Sequence, residues 1–355
     1  MPKNAEPSAL PDLSGTGEFG LIRRIRSAAR TQDPRVIRGI GDDAAVITTG
    51  GKALVTTDLL LEDVHFLRAR TIPRLLGRKA LSVNLSDIAA MGGKPQFALL
   101  GLAAAPSFPL ADMDEIIAGL LEKAESAKVS LIGGDVCRSE KLVLALTVIG
   151  TAEPPAPVYR SGARIGDLIL ATGQVGDSAL GLSRLLETAS PLAADSVAAD
   201  PLREPIMKHL DPEPRIAMGQ KLAGLATSMI DLSDGIISDL GRLLEESQVP
   251  GAVIELNRLP LSSAFRAHFQ VQDRLEGTAL QMALTGGEDY ELLFTAPDSA
   301  AERLRKIAED EGLPITRIGR IVSEPGTRLA DGEGKSAPLP PPLFEHFSAA
   351  SRRER

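Results

Sequence analysis

A series of aspartates, each close to glycine, serine or threonine, stands at the ends of apolar runs. Asp42 and Asp43 follow the glycine turn Gly39-Ile40-Gly41 and precede the run Ala44–Ile47. A second apolar stretch, Ala53–Val55, ends in Thr56-Thr57-Asp58. Carboxylates and hydroxyls gathered at strand ends are the oxygen donors that hard cations such as Mg2+ prefer. Further on come Asp87 in Asn84-Leu85-Ser86-Asp87, Asp135 in Gly133-Gly134-Asp135, and the pair in Asp231-Leu232-Ser233-Asp234-Gly235. Each has an ordinary explanation by itself. Asp-Asp beside glycine is turn chemistry, Asp87 can face solvent, Gly-Gly-Asp can be a plain turn, and Ser233 or Asp234 would cap a helix. The recurrence of the pattern favours a cluster of metal ligands.

The positioning elements follow from apolar periodicity. Residues 1–16 are expected to be a flexible extension, and Phe19, Ile22 and Ile25 predict a helix over Glu18–Arg30. Gly50-Gly51 closes a hairpin that brings Asp-Asp and Thr-Thr-Asp to one edge. A helix opens at Pro73 and exits at Gly92-Gly93. Its Leu81, Leu85 and Ile88 form an apolar stripe, and Asn84 and Asp87, three apart, share a face. A carboxylate beside a core needs a partner, which a cation on the hairpin would supply. Strands are predicted over Phe97–Ala103, Val129–Ile132 and Lys141–Gly150, with a helix over Asp112–Lys128. Gly133-Gly134 would let backbone approach a ligand, with Asp135 at the tip.

Three prolines within Glu153–Pro157 mark a domain boundary, giving an N-terminal domain over 17–152, a C-terminal domain over 153–347 and a tail over 348–355. In the second domain strands are predicted over Asp167–Thr172, Ser228–Leu232, Ala252–Leu256 and Ile315–Val322. Helices are predicted over Ser178–Glu187, Ile216–Leu225, from Gly235 to Glu246, Leu275–Leu284 and Ala300–Glu311. Ala189–Asp200 reads as a mobile loop. Tyr290–Thr295 alternates like a half-buried strand. The strand–glycine–helix unit at Gly173–Ser178 lacks the spacing and the lysine of a P-loop, and no dinucleotide fingerprint is evident.

With 355 residues, 43% hydrophobic and 24% charged, the chain reads as a soluble globular protein of two domains. Net charge is −8, without a long basic run, which argues against nucleic acid as a partner. Phosphates stay open, because a bound divalent ion supplies positive charge locally. One cysteine, Cys137, excludes an intrachain disulfide and a cysteine-rich zinc site. No apolar run approaches a membrane span and no leader is evident, so the expected location is the cytoplasm.

The ordered set of motifs resembles the thiamine-monophosphate kinase family. It comprises Gly39–Asp43, Thr56-Thr57-Asp58, His65-Phe66, Asn84–Gly92, Gly133-Gly134-Asp135, Arg160-Ser161-Gly162-Ala163, Asp231–Gly235 and Gly286–Leu292. The resemblance runs from about Gly17 to Phe347. It implies ATP-dependent phosphorylation of thiamine monophosphate to thiamine diphosphate. It also implies an α+β, α/β two-domain chain whose N-terminal sheet forms a barrel across a homodimer, with an α/β layered C-terminal domain. Carried over residue by residue, Asp43, Thr56, Thr57, Asp58, Asp87, Asp135, Asp231 and Asp234 would hold several Mg2+ ions. Gly134, Asp135, Arg160 and Ser233 would contact ATP, and His65, Glu288 and Phe344 would line the thiamine monophosphate site. Ala118 departs from the family, which often carries a tyrosine there. Transfer between two polyanions needs positioning and charge neutralisation, so the carboxylates read as ligands rather than bases, and no phosphoenzyme is expected. Two rivals stay open: another ATP-using synthetase of the same superfamily, and a nucleotide- or thiamine phosphate-binding protein without turnover.

Overall fold

The computed structural model describes residues 36–38, 42–48, 52–187, 192–271, 275–331 and 336–341. The 1–16 extension, the Glu18–Arg30 helix, the turns at Gly39-Ile40-Gly41 and Gly50-Gly51, Phe344 and the 348–355 tail lie outside the described residues.

The first half of the chain forms β1 (Val36–Arg38), β2 (Ala45–Thr48), β3 (Lys52–Leu61), β4 (Lys94–Ala104), β5 (Ser130–Arg138) and β6 (Val143–Thr151). Side by side they run β1-β2-β3-β6-β4-β5, antiparallel except for the β4–β5 pair. The helices Pro73–Ala90 and Leu110–Ser126 cover one face. Leu81, Leu85, Ile88, Ile116 and Leu120 meet Leu54, Leu100, Leu144, Leu146 and Val148 there, all buried. Pro73 starts the first of these helices, and Gly92, at φ +67°, ends it with an N–H donated to the Ala89 carbonyl. Among the described residues no helix covers the opposite face, and Leu59 and Phe97 are exposed on it. Among the described residues the sheet is open, with β1 and β5 as its edges.

The second half forms β7 (Leu168–Thr172), β8 (Ser228–Asp231), β9 (Gly251–Glu255), β10 (Leu292–Ala296), β11 (Ile315–Val322), β12 (Gly326–Ala330) and β13 (Ser336–Ala337). Their order is β13-β12-β9-β11-β7-β10-β8. Both faces of this sheet are covered. Ile169, Ala171, Ile230 and Leu293 enter a core with the Ile236–Ser247 and Gly277–Thr285 helices. Leu168, Leu170, Met229, Leu292 and Phe294 enter another, together with Ala89 and Ala90 of the first domain's helix and Met218 and Leu222 of the Ile216–Leu222 helix. At that joint a Cβ on Gly219 would sit 2.0 Å from the Ala89 carbonyl oxygen, so the two domains touch backbone to backbone through a glycine.

Several expectations are corrected. Thr56-Thr57-Asp58 does not end a strand; β3 runs ten residues straight through it. Gly133-Gly134-Asp135 is not a turn, since it lies inside the nine-residue β5. Gly134, at φ +154°, has β4 so close that a Cβ would meet the Leu100 carbonyl oxygen at 1.9 Å, which explains the glycine without a ligand. β10 is buried on both faces rather than half-buried, because cores flank it on both sides. The loop expected at 189–200 contains the short helix Ala194–Ala198. The helices Arg203–Leu210 and Ser263–Phe269 and the strands β12 and β13 had no clear periodic signal. No helix among the described residues is long and apolar enough to cross a membrane.

Candidate active site

The hairpin, the 73–90 helix and the end of β8 deliver their carboxylates to one place. Asp43, Asp87 and Asp231 each place an oxygen within 4.8 Å of the others. β3 faces the helix with alternate residues, so Thr56 and Asp58 point inward together. Thr56 Oγ1 donates to Asp87 Oδ2 at 2.5 Å, and the Asp58 carboxyl stands beside that of Asp87. One position back along the helix, Ser86 Oγ donates to Asp231 Oδ2 at 2.6 Å.

Crowding of like charge in a buried place raises the cost of ionising these groups. Burial first, then Asp58, Asp231 and Asp43, pushes Asp87 well above the ordinary carboxylate range. Burial and Asp43 raise Asp231 to about 8. Burial, with Asp43 and Asp234 adding, also raises Asp58. Arg160 answers part of this charge: its Nη2 lies 2.6 Å from Asp43 Oδ1. Burial opposes the arginine's charge, and Asp43, Asp42 and Asp231 more than offset that. Asp43 Oδ2 remains buried without a partner. An orphaned carboxylate oxygen beside buried Asp231 and half-buried Asp87 suits a divalent cation with oxygen ligands.

Asp42 does a different job from Asp43. It accepts the Arg160 backbone N–H at 2.8 Å and Arg38 Nε at 3.0 Å, while Arg38 Nη2 reaches Glu246 Oε2 at 2.8 Å. These bonds tie the aspartate turn to the second domain.

Not every expected ligand joins the cluster. Thr57 points to the helix-free face, where its hydroxyl donates to the Leu146 carbonyl at 2.9 Å. Strand register puts Asp135 in the row Leu59–Ala145–Gly101–Asp135 on that same face, exposed on the edge strand. The sheet itself therefore separates Thr57 and Asp135 from Thr56 and Asp58, because neighbouring residues of a strand face opposite ways. Asp234 is paired with Arg242, and it does not cap the following helix. Asp239 instead accepts the Asp234 backbone N–H at 3.0 Å, with Gly235 at the N-cap position. Ser233 is half-buried in the same loop, and Ala118 lies half-buried on the 110–126 helix.

The loop after Asp231 is zipped to the segment around Glu288. Ser233 O accepts the Glu288 N–H at 2.8 Å, Leu232 O accepts the Tyr290 N–H at 2.9 Å, and Glu291 O accepts the Leu232 N–H at 2.8 Å. A Cβ on Gly287 would lie 2.4 Å from the Ser233 carbonyl oxygen, so the contact requires glycine. Successive side chains of this segment then diverge. Asp289 accepts the Gly176 and Ser178 N–H groups at 2.7 and 3.1 Å. Tyr290 is buried within electrostatic reach of Glu288, Asp58, Asp231 and Asp234. Glu291, fully buried, accepts from Thr172 Oγ1, Lys208 Nζ and both arms of Arg215 at 2.5–2.8 Å.

Around Glu288 lies a second charged group. Lys79 Nζ is 3.1 Å from Oε1 and His209 Nδ1 is 3.2 Å from Oε2. Burial works against ionisation of Glu288, but Lys79, His209 and His65 outweigh it and hold the carboxyl below its usual value. His65 accepts the Leu61 N–H on Nδ1 at 3.0 Å, which leaves the proton on Nε2. Burial and Lys79 lower His209 to about 4, so it is neutral near pH 7. Sequence reasoning missed Lys79, Ser86, His209, Tyr290, Arg242 and the Glu291 hub. Lys79, Ser86 and Asp87 line one helical stripe and were findable by periodicity; His209 sits on a helix without such a signal.

A pH dependence follows. Asp42, Asp289 and Asp231 rise to about 6, 7 and 8, in each case chiefly through burial. A carboxyl raised above its unfolded value contributes stability below that value, about 4, and loses it as pH climbs through the folded one. The melting temperature in chelator should therefore fall between about pH 4 and pH 8, and added Mg2+ should flatten the upper part. A level profile in chelator would contradict the burial described here.

Residues 41–152 match the family model "AIR synthase related protein, N-terminal domain", and residues 164–332 match the corresponding C-terminal domain. A thiamine-monophosphate kinase of Haemophilus influenzae is 40% identical over 86% of this chain and 89% of its own length. One from Escherichia coli K12 is 39% identical over 94% and 98%. The solved structure described as "AaThiL complexed with AMPPCP and TMP" superposes with a TM-score of 0.80 at 34% identity, covering 96% of this chain and all of that one.

Proposed function

Since this chain belongs to the thiamine-monophosphate kinase family of AIR synthase-related proteins, and phosphorylates thiamine monophosphate with ATP, we propose that the aspartate cluster is where the γ-phosphoryl group passes directly to the acceptor phosphate. The convergence of Asp43, Asp87 and Asp231 within 4.8 Å, with Asp43 Oδ2 unpartnered, carries this reading.

Asp43, Asp58, Asp87 and Asp231, with Thr56 beside them and Asp234 across the loop, would hold Mg2+. Bound there, Mg2+ supplies the positive charge that lets two polyanions approach. The chain's own residues do the rest. Thr56 and Ser86 orient the Asp87 and Asp231 carboxylates through their hydroxyls. Arg160, paired with Asp43, is proposed to contact ATP together with Ser233 and Gly134. His65 and Glu288 face the acceptor, with Phe344 proposed to complete that wall. The acceptor phosphate is already ionised near neutral pH, so no general base is needed, and neutral His209 is held by Ser178 and Glu288 rather than free to act as a nucleophile.

The test is turnover of ATP and thiamine monophosphate by exhaustively chelated protein, with Mg2+ then restored. ADP and thiamine diphosphate should form only after restoration. Full turnover without a divalent ion would overturn the metal role, and label retained on denatured protein after incubation with γ-labelled ATP would overturn direct transfer.

We further propose a cytoplasmic homodimer with domains near 17–152 and 153–347. The helix-free face with Leu59 and Phe97, and the edge strand with Ile132 and Val136, expose large apolar side chains that a second copy would cover. Thr57 and Asp135 would reach a metal only from that face. Sedimentation should give twice the chain mass, and Val136→Lys should shift it toward a monomer; an unchanged dimer in that variant would place the interface elsewhere.

A further inference from the structure

The acceptor end of the site holds a buried ammonium that no motif announced. Lys79 is 3% exposed and its Nζ lies 3.1 Å from Glu288 Oε1. The other carboxylate oxygen lies 3.2 Å from His209 Nδ1, which also meets Ser178 Oγ at 3.1 Å. Glu288 is thus gripped from both domains, by Lys79 on the first domain's helix and by His209 on the second domain's Arg203–Leu210 helix. A lysine so buried keeps its charge only beside a counter-charge. Glu288 itself stands at φ +64°, a left-handed conformation that is strained for a non-glycine residue. The bracket of partners holds it there.

The helix also sets a distance. Lys79 and Ser86 are seven residues apart, two turns, and so share a face. Seven residues rise about 10.5 Å. Ser86 is bonded to Asp231 at one end of that span and Lys79 to Glu288 at the other. Thiamine monophosphate carries a phosphate at one end and a permanently cationic ring in its body. Laid along this face, it presents the phosphate to the aspartates and its cationic part toward the Glu288 carboxylate.

We propose that Lys79 is a positioning residue that determines acceptor specificity: by pairing with Glu288 it fixes the carboxylate that receives the acceptor's cationic end at a set distance from the aspartates. This rests on Glu288 lining the acceptor site, and the experiment separates the two. Lys79→Met keeps the side-chain length and removes the charge. It should raise KM for thiamine monophosphate about tenfold, while KM for ATP stays within about twofold and kcat within about threefold, the pattern of lost ground-state binding. Glu288→Gln should raise the same KM. Because Lys79 acts through Glu288, the double variant Lys79→Met/Glu288→Gln should match Glu288→Gln rather than add to it.

An unchanged acceptor KM in Glu288→Gln would remove the premise. An unchanged acceptor KM in Lys79→Met beside a raised one in Glu288→Gln would overturn the role of Lys79 alone. Equal losses in both KM values, or a loss confined to kcat, would assign Lys79 to packing and overturn it too. Should Lys79→Met fail to fold, the double variant, free of both charges, decides: agreement with Glu288→Gln supports the proposal and a larger rise in acceptor KM overturns it.

Discussion

Asp87→Asn should lower kcat by about a thousandfold and, in chelator, raise the melting temperature. The two effects share one cause. Asp87 sits in the cluster, bonded to Thr56, beside Asp58, and raised by burial and by three neighbouring carboxylates. Without cations that arrangement is repulsive, and an uncharged amide of the same shape relieves it. Relief of about 1 kcal/mol corresponds to roughly 2–4 °C in a domain of this size. With substrates present the carboxylate is required, because charge neutralisation at the transferring group is most of what catalysis does here. Loss of one such electrostatic element costs about 3–4 kcal/mol, hence the thousandfold figure. Steady-state rates across a Mg2+ titration, with melts in chelator, check both halves. A variant that stays active at low Mg2+, or melts lower in chelator, contradicts the assignment.

Glu291→Gln should be the most destabilising single change at the site. The Glu291 carboxylate is fully buried and is the shared acceptor for Lys208, Arg215 and Thr172. Burial opposes its charge, yet Lys208 and Arg215 draw it down to about 2. Removing one side of a buried ion pair strands the other, at about 3–5 kcal/mol, or roughly 10 °C in melting temperature. A carboxyl lowered in the folded state contributes stability above its unfolded value, about 4.5, and loses it as pH falls toward about 2. The wild-type protein should therefore weaken steeply in that acid window, and the variant less so. A melt within about 2 °C of wild type at neutral pH would show that Lys208 and Arg215 find other partners.

Glu291 also marks where reading the chain reached its limit. The motif Gly286–Leu292 was visible, and alternation suggested a half-buried strand from Tyr290. In the fold Glu288 and Tyr290 both have positive φ, at +64° and +50°, and the strand begins only at Leu292. Local pattern assigns alternate residues to two faces, but four neighbours here serve four places: the charged group of Lys79 and His209, a helix start, the neighbourhood of the aspartate cluster and a buried ion-pair hub.

The chain order by itself determined the family, the reaction, and the 73–90 helix with its Asp87-bearing face, because periodicity and short motifs are local properties. It also named Asp43, Asp58, Asp87 and Asp231 as one group. Tertiary structure decided which of the proposed ligands can meet. Strand pleat sends Thr57 and Asp135 to the helix-free face, away from Thr56 and Asp58. Interdomain packing brings Lys79 to Glu288 and Ser86 to Asp231. Those pairs are separated by some two hundred and some one hundred and fifty positions, and no rule of local spacing connects residues that only long-range burial brings together.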